Sequence, residues 1–148
     1  MRRFFKILCL ITVLSLFFHS IWEYFQCEVF YDVEDSTGHI FLMLSATFGD
    51  IMMTVILYLI LSIVNKDCVW FLYRWELKEY IIIILYSLTF SFYFEANALY
   101  TNRWGYTKAM PLFYKTNIGL LPVLQLLILF PLTFLTSKII LKYLLKDN

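Results

Sequence analysis

The sequence predicts an all-α protein, a four-transmembrane-helix bundle with both termini cytoplasmic, forming a single integral membrane domain over residues 1–148. Three observations carry this. The composition is 61% hydrophobic and 20% aromatic but only 16% charged, against roughly 25% charged residues in soluble domains. Four apolar runs each approach or exceed the roughly 20 residues a helix needs to cross a bilayer. The Lys and Arg residues cluster between those runs, as at a membrane boundary. Net charge is +1, so no basic surplus points to nucleic acid.

The first span is read over residues 7–25, after a basic start with Arg2, Arg3 and Lys6. It resembles a leader in pattern, but no small-x-small cleavage site follows Phe18, so it is taken as a span. An acidic loop follows, with Glu28, Asp32, Glu34 and Asp35. The second span covers 40–64. The connector after it carries Lys66, Arg74 and Lys78, and its Trp70 and Trp75 suit an interfacial belt. The third span covers 80–100 and the fourth 118–141. In hydrocarbon only a helix satisfies its own backbone over such lengths.

Orientation follows from counting cations. The N-terminus, the second connector and the C-terminal end (Lys138, Lys142, Lys146) hold three each. The loop after the third span also holds three (Arg103, Lys108, Lys115), and the first loop none. Nine against three places both termini inside. A multi-pass location is expected, in the plasma or inner membrane if the source is prokaryotic. Cys9 falls inside the membrane and Cys27 and Cys68 on opposite sides, so no disulfide is expected, and no Cys/His spacing resembles a metal site. No cofactor is implied. With only four glycines, close GxxxG crossings are not expected to govern packing.

Polar residues inside the spans recur at helical spacing. Thr12, Ser15, His19, Glu23 and Gln26 form one stripe on the first helix, with His19 and Glu23 one turn apart. Thr47, Asp50 and Thr54 form another on the second, and Ser87, Ser91 and Glu95 one on the third. Gln125 lies one turn after Pro122, whose missing N–H could expose a carbonyl. By helical rise, Glu95 lies on the order of 7 Å below its span end and Asp50 roughly 15 Å into its own. Facing lipid would cost a few kcal/mol per charge, so these groups are expected to converge inside the outer half of the bundle. His19, Glu23, Asp50 and Glu95 are the candidate acid–base residues; Asn97, Arg103, Trp104, Tyr106 and Gln125 are the candidate binding residues. Arg103 is expected to fold back toward Glu95 or Glu23. The same residues equally suit helix pairing, at about 0.6–2 kcal/mol per interaction, and Trp22, Trp104 and Tyr106 equally suit interfacial anchoring.

Soluble-enzyme motifs such as GxSxG, a P-loop, HExxH or CxxC are absent from the sequence. The stretch from Glu95 through Arg103-Trp104-Gly105-Tyr106-Thr107 and Met110-Pro111 to Gly119-Leu120-Leu121-Pro122-Val123-Leu124-Gln125 resembles a family of small four-span membrane proteins of unassigned activity. Gly49-Asp50 is a further marker. That resemblance implies a membrane location and nothing catalytic. His19-Ser20-Ile21-Trp22-Glu23, Asp50 and Glu95 are similar in order to emopamil-binding, sterol-isomerase-like four-helix proteins. This second resemblance implies acid–base work on a sterol-like or isoprenoid substrate.

Three functions remain open at this point. The first is a pocket that binds or transforms a lipid or other apolar small molecule. The second is a structural or assembly subunit whose protein partner is unknown. The third is a proton or small-solute pathway, which the aliphatic and aromatic inner half disfavours.

Overall fold

The computed structural model describes residues 2–32 and 36–146. Four helices dominate: α1 (Arg2–Phe30), α2 (Ser36–Asn65), α3 (Leu77–Tyr100) and α4 (Leu120–Lys146). All four are long and apolar enough to cross a membrane. A single 3₁₀ turn (Trp70–Leu72) lies between α2 and α3. Two short strands, β1 (Tyr31–Asp32) and β2 (Gly105–Tyr106), pair antiparallel with Tyr31 opposite Tyr106 and Asp32 opposite Gly105. The end carrying these strands is called the far end below, and the end carrying the termini the near end. Glu34 and Asp35 of the acidic loop, and the side chain of Lys146, lie outside the described residues.

The helices outrun the predicted spans for local reasons. α1 continues past residue 25 because Gln26 and Cys27 find buried partners: the Gln26 amide donates to the Tyr31 hydroxyl and the Cys27 thiol to Glu23. Cys27 is therefore helical and buried rather than in a loop; it, Cys9 and Cys68 are free thiols. α3 begins early at Leu77 because Glu76 and Glu79 form a reciprocal capping box, with the Glu76 N–H 2.6 Å from the Glu79 carboxylate. Pro122 falls in the first turn of α4, where its missing N–H would have had no helical acceptor, so it frees no carbonyl. Pro131 is the proline inside the helix proper, and it removes the donor for the carbonyl four residues before it.

α1 packs on α2 and α4, and α3 packs on α4, while α2 and α3 touch only lightly. The near half is filled with aromatics. Trp70 lies 5.2 Å from the Phe134 ring, 5.5 Å from Trp75 and 5.7 Å from Phe71. This corrects the expected interfacial belt: Trp70 is 4% and Trp75 9% exposed. The connector turns inward and plugs the bundle, held where the Tyr58 hydroxyl donates to the Cys68 carbonyl at 2.9 Å. Burying two indoles there removes far more apolar surface from water than an interfacial placement would. Outward faces carry Phe41, Phe48 and Ile63, each more than half exposed, as lipid contact requires.

Candidate functional site

The far half gathers the polar stripes. On α1, His19, Glu23 and Cys27 follow at four-residue steps and share one inward face. Asp50 comes from the middle of α2, Glu95 from the last turns of α3 and Gln125 from the second turn of α4. All six are buried.

Gln125 joins three helices. Its Nε2 lies 2.8 Å from Glu23 Oε1, 2.6 Å from Asp50 Oδ2 and 3.2 Å from His19 Nδ1. An amide has two hydrogens, and both carboxylates take one. His19 Nδ1, 3.1 Å from Asp50 Oδ2, completes the set by donating its own hydrogen. This tautomer is assigned from the hydrogen-bond pattern. It leaves His19 Nε2 an acceptor on a fully buried ring, with no partner among the described residues.

Glu95 is held differently, by the loops. The Tyr31 hydroxyl reaches Oε1 at 3.4 Å, and the Trp104 indole N–H reaches Oε2 at 3.4 Å. The Tyr106 hydroxyl makes a close hydrogen bond to the same Oε2. Tyr106 is itself set by Gly119, whose N–H donates to its hydroxyl at 3.0 Å. A Cβ at Gly119 would come within 3.1 Å of the Tyr106 ring and 3.0 Å of Met110 Sδ, so the bare backbone is what lets the phenol sit there. Burial, and then the Glu95 carboxylate, push the Tyr31 and Tyr106 phenols well above the usual tyrosine range. Both therefore remain O–H donors at neutral pH. A relay extends outward: the Trp22 indole donates to Gln26 Oε1 at 2.6 Å, and Gln26 Nε2 donates to Tyr31 at 3.0 Å.

Between the two groups lies a cavity of about 160 Å³. Glu23, Asp50, Glu95 and Gln125 line its polar end; Met53, Phe90, Phe94 and Leu126 are among its apolar walls. Among the described residues no Lys or Arg forms an ion pair with any of the three carboxylates. Their partners are instead donors without a fixed charge: Gln125 and Cys27 for Glu23, Gln125 and His19 for Asp50, and Tyr31, Trp104 and Tyr106 for Glu95.

The sequence-predicted residues divide accordingly. His19, Glu23, Asp50 and Gln125 form one connected group, and Glu95 faces the same cavity. Trp104 and Arg103 line it, and Tyr106 stands behind Glu95. His19 is set back from the cavity behind Asp50. Two expectations are corrected. Arg103 does not fold back to a carboxylate. It is exposed, with its guanidinium 5.2 Å from the Trp104 ring centroid. The oxygens of Glu95 are already occupied by neutral donors, and a solvated cation over an indole avoids desolvation. Asn97 is exposed and is not among the residues lining this cavity; two residues from Glu95, it points about 200° away around the helix. Tyr31 and Cys27 were missed. Cys27 extends the His19–Glu23 spacing by one more turn and was visible in that pattern. Tyr31 carried no local signal, since its role depends on strand pairing with residue 106.

Comparison with family models, with curated proteins and with solved structures found no match to this chain. The four-helix membrane architecture therefore stands on the helices themselves, and neither family resemblance gains support.

Proposed function

We propose that the far half of the bundle is a pocket for the polar end of a lipid or other apolar small molecule, with proton transfer as the chemistry available there. The observation that carries this reading is the convergence of Glu23, Asp50 and Glu95, from three helices, on one cavity that Met53, Phe90, Phe94 and Leu126 also line. A head group that donates hydrogen bonds, such as the hydroxyl of a sterol-like or isoprenoid molecule, complements those acceptors. Glu23 and Glu95 front the cavity and are the proton donors of this reading. Asp50 stabilises positive charge that develops on the ligand, and His19, behind it, relays protons. Both termini then face the cytoplasm, as the Lys and Arg distribution favours, and the pocket occupies the outer half of the membrane.

The test is mass spectrometry of lipids retained by the purified protein. Wild type is expected to carry an amphiphile that Glu95→Gln and Glu23→Gln lose. Folded variants that retain the same lipid complement as wild type would end this reading.

One observation favours a second reading, a structural or assembly subunit. The Gln125 amide ties α1, α2 and α4 at once, as a helix-pairing device does. Variants of Asp50 and Glu95 that lower protein abundance and leave lipid retention intact would favour it.

A further inference from the structure

The cavity is closed on some sides and open on others, and the division follows the helices. Every lining residue from α1 and α4 is buried. Those with accessible surface belong to α2, α3 and the loop after α3, among them Ala46, Gly49, Phe94 and Arg103. This is also where the bundle is loosest, because α2 and α3 barely touch. Above, toward the far surface, the β1–β2 ladder and the Tyr31, Trp104 and Tyr106 bonds to Glu95 cover the cavity. The cover is fastened to the end of α1 where the Thr107 N–H and hydroxyl each donate to carbonyls of α1 at 3.0 Å. Below, the α2–α3 seam is stitched where the Tyr86 hydroxyl donates to the Met53 carbonyl at 3.1 Å.

Between cover and stitch stands Gly49. A Cβ added there would meet nothing within 4 Å, so the glycine fronts open space although it sits beside buried Asp50. It lies roughly 20 Å from the start of α2 and roughly 24 Å from its end, which is hydrocarbon depth in a bilayer. Opposite it, α3 presents a rail of rings: Tyr86 to Phe90 at 4.4 Å and Phe90 to Phe94 at 6.0 Å between centroids.

Resting on the pocket reading above, we infer that the gap between α2 and α3 at Gly49 is a lateral doorway. Through it a single-chain membrane amphiphile passes from the bilayer, head group first, into the carboxylate cavity. The depth selects the occupant, because only molecules dissolved in the hydrocarbon core reach an opening there. The apolar chain stays along the Phe90–Phe94 rail, and the head displaces nothing at Gly49 because no side chain is present.

The experiment uses the full chain in phosphatidylcholine vesicles, with a long-chain alcohol carrying a diazirine next to its hydroxyl-bearing carbon, and with the methyl ether of that alcohol. Adducts are mapped by mass spectrometry after illumination. In wild type the alcohol is expected to label Glu23, Glu95 or Ser91, besides outward residues such as Phe41 and Ile63. Gly49→Phe should abolish the cavity adducts and leave the outward ones, which report an intact fold, whereas Gly49→Ala should retain both. Phe94→Ala, which shortens the rail without filling the doorway, should weaken cavity labelling without abolishing it. Cavity adducts that survive Gly49→Phe and do not change in Phe94→Ala overturn the doorway but leave the pocket standing. Absence of cavity adducts in wild type, or equal cavity labelling by alcohol and ether, overturns the pocket reading itself.

Discussion

The two halves of the bundle are built from the same four helices and solve opposite problems. The near half is packed shut: Tyr58, Phe71, Phe130 and Phe134 are fully buried, and Trp70 fills the centre from a loop. The far half places three carboxylates and an amide around a cavity, with an imidazole behind Asp50. Dispersion and apolar burial hold the first, and they need only shape and volume. Hydrogen bonds in a medium without water hold the second, and each requires a named partner. Apolar packing therefore concentrates in the near half, and buried polar groups in the half that left space unfilled.

Substitutions separate the two halves by size of effect. Phe134→Ala empties the centre of the near half and is expected to cost about 3–5 kcal/mol, read as a lowered unfolding midpoint in detergent. Gln125→Leu removes the donor that Glu23 and Asp50 share and leaves each with one other, Cys27 and His19. A loss of about 1–2 kcal/mol is expected from the same measurement, and if Gln125→Leu proved as damaging as Phe134→Ala, the contrast between the halves would break.

Smaller effects sharpen the contrast within the far half. Gly119→Ala should displace Tyr106 from Glu95 and diminish lipid retention more than it lowers the unfolding midpoint. Arg103→Ala, which removes only an exposed cation over Trp104, should change stability by about 0.5–1 kcal/mol or less. A large loss there would reinstate an ion pair with Glu95. Alkaline pH also bears on the cover. Tyr31 and Tyr106 are held above the ordinary phenol value of about 10. Their contribution is intact below that value and lost as pH rises beyond it, because the unfolded chain then sheds its protons first. Ultraviolet titration of tyrosinate should show a late-ionising fraction that Tyr31→Phe and Tyr106→Phe each reduce.

Much of the polar face was legible in the sequence, because helical periodicity is local. His19 and Glu23 one turn apart, Ser87, Ser91 and Glu95 at four-residue steps, and Asp50 near mid-helix all declare an inward side before any neighbour is known. Arg103 and Asn97 depart from expectation for a common reason: closeness in sequence to Glu95 does not bring a side chain to its carboxylate. Trp70 and Trp75 were misjudged because their composition suits a membrane interface, and only the inward turn of the connector shows the vacancy they fill.

The sequence by itself determined that four apolar segments become helices and that the first three each carry a polar stripe. A backbone in hydrocarbon has no other way to satisfy its hydrogen bonds, and a charge there has nowhere cheaper to face. Tertiary structure alone decided which donors meet Glu95, that Gln125 serves three helices, and that the α2–α3 seam rather than the α1–α4 seam stays loose. Those outcomes depend on contacts between residues as distant as Tyr31 and Tyr106, and no local pattern in the chain encodes such pairings.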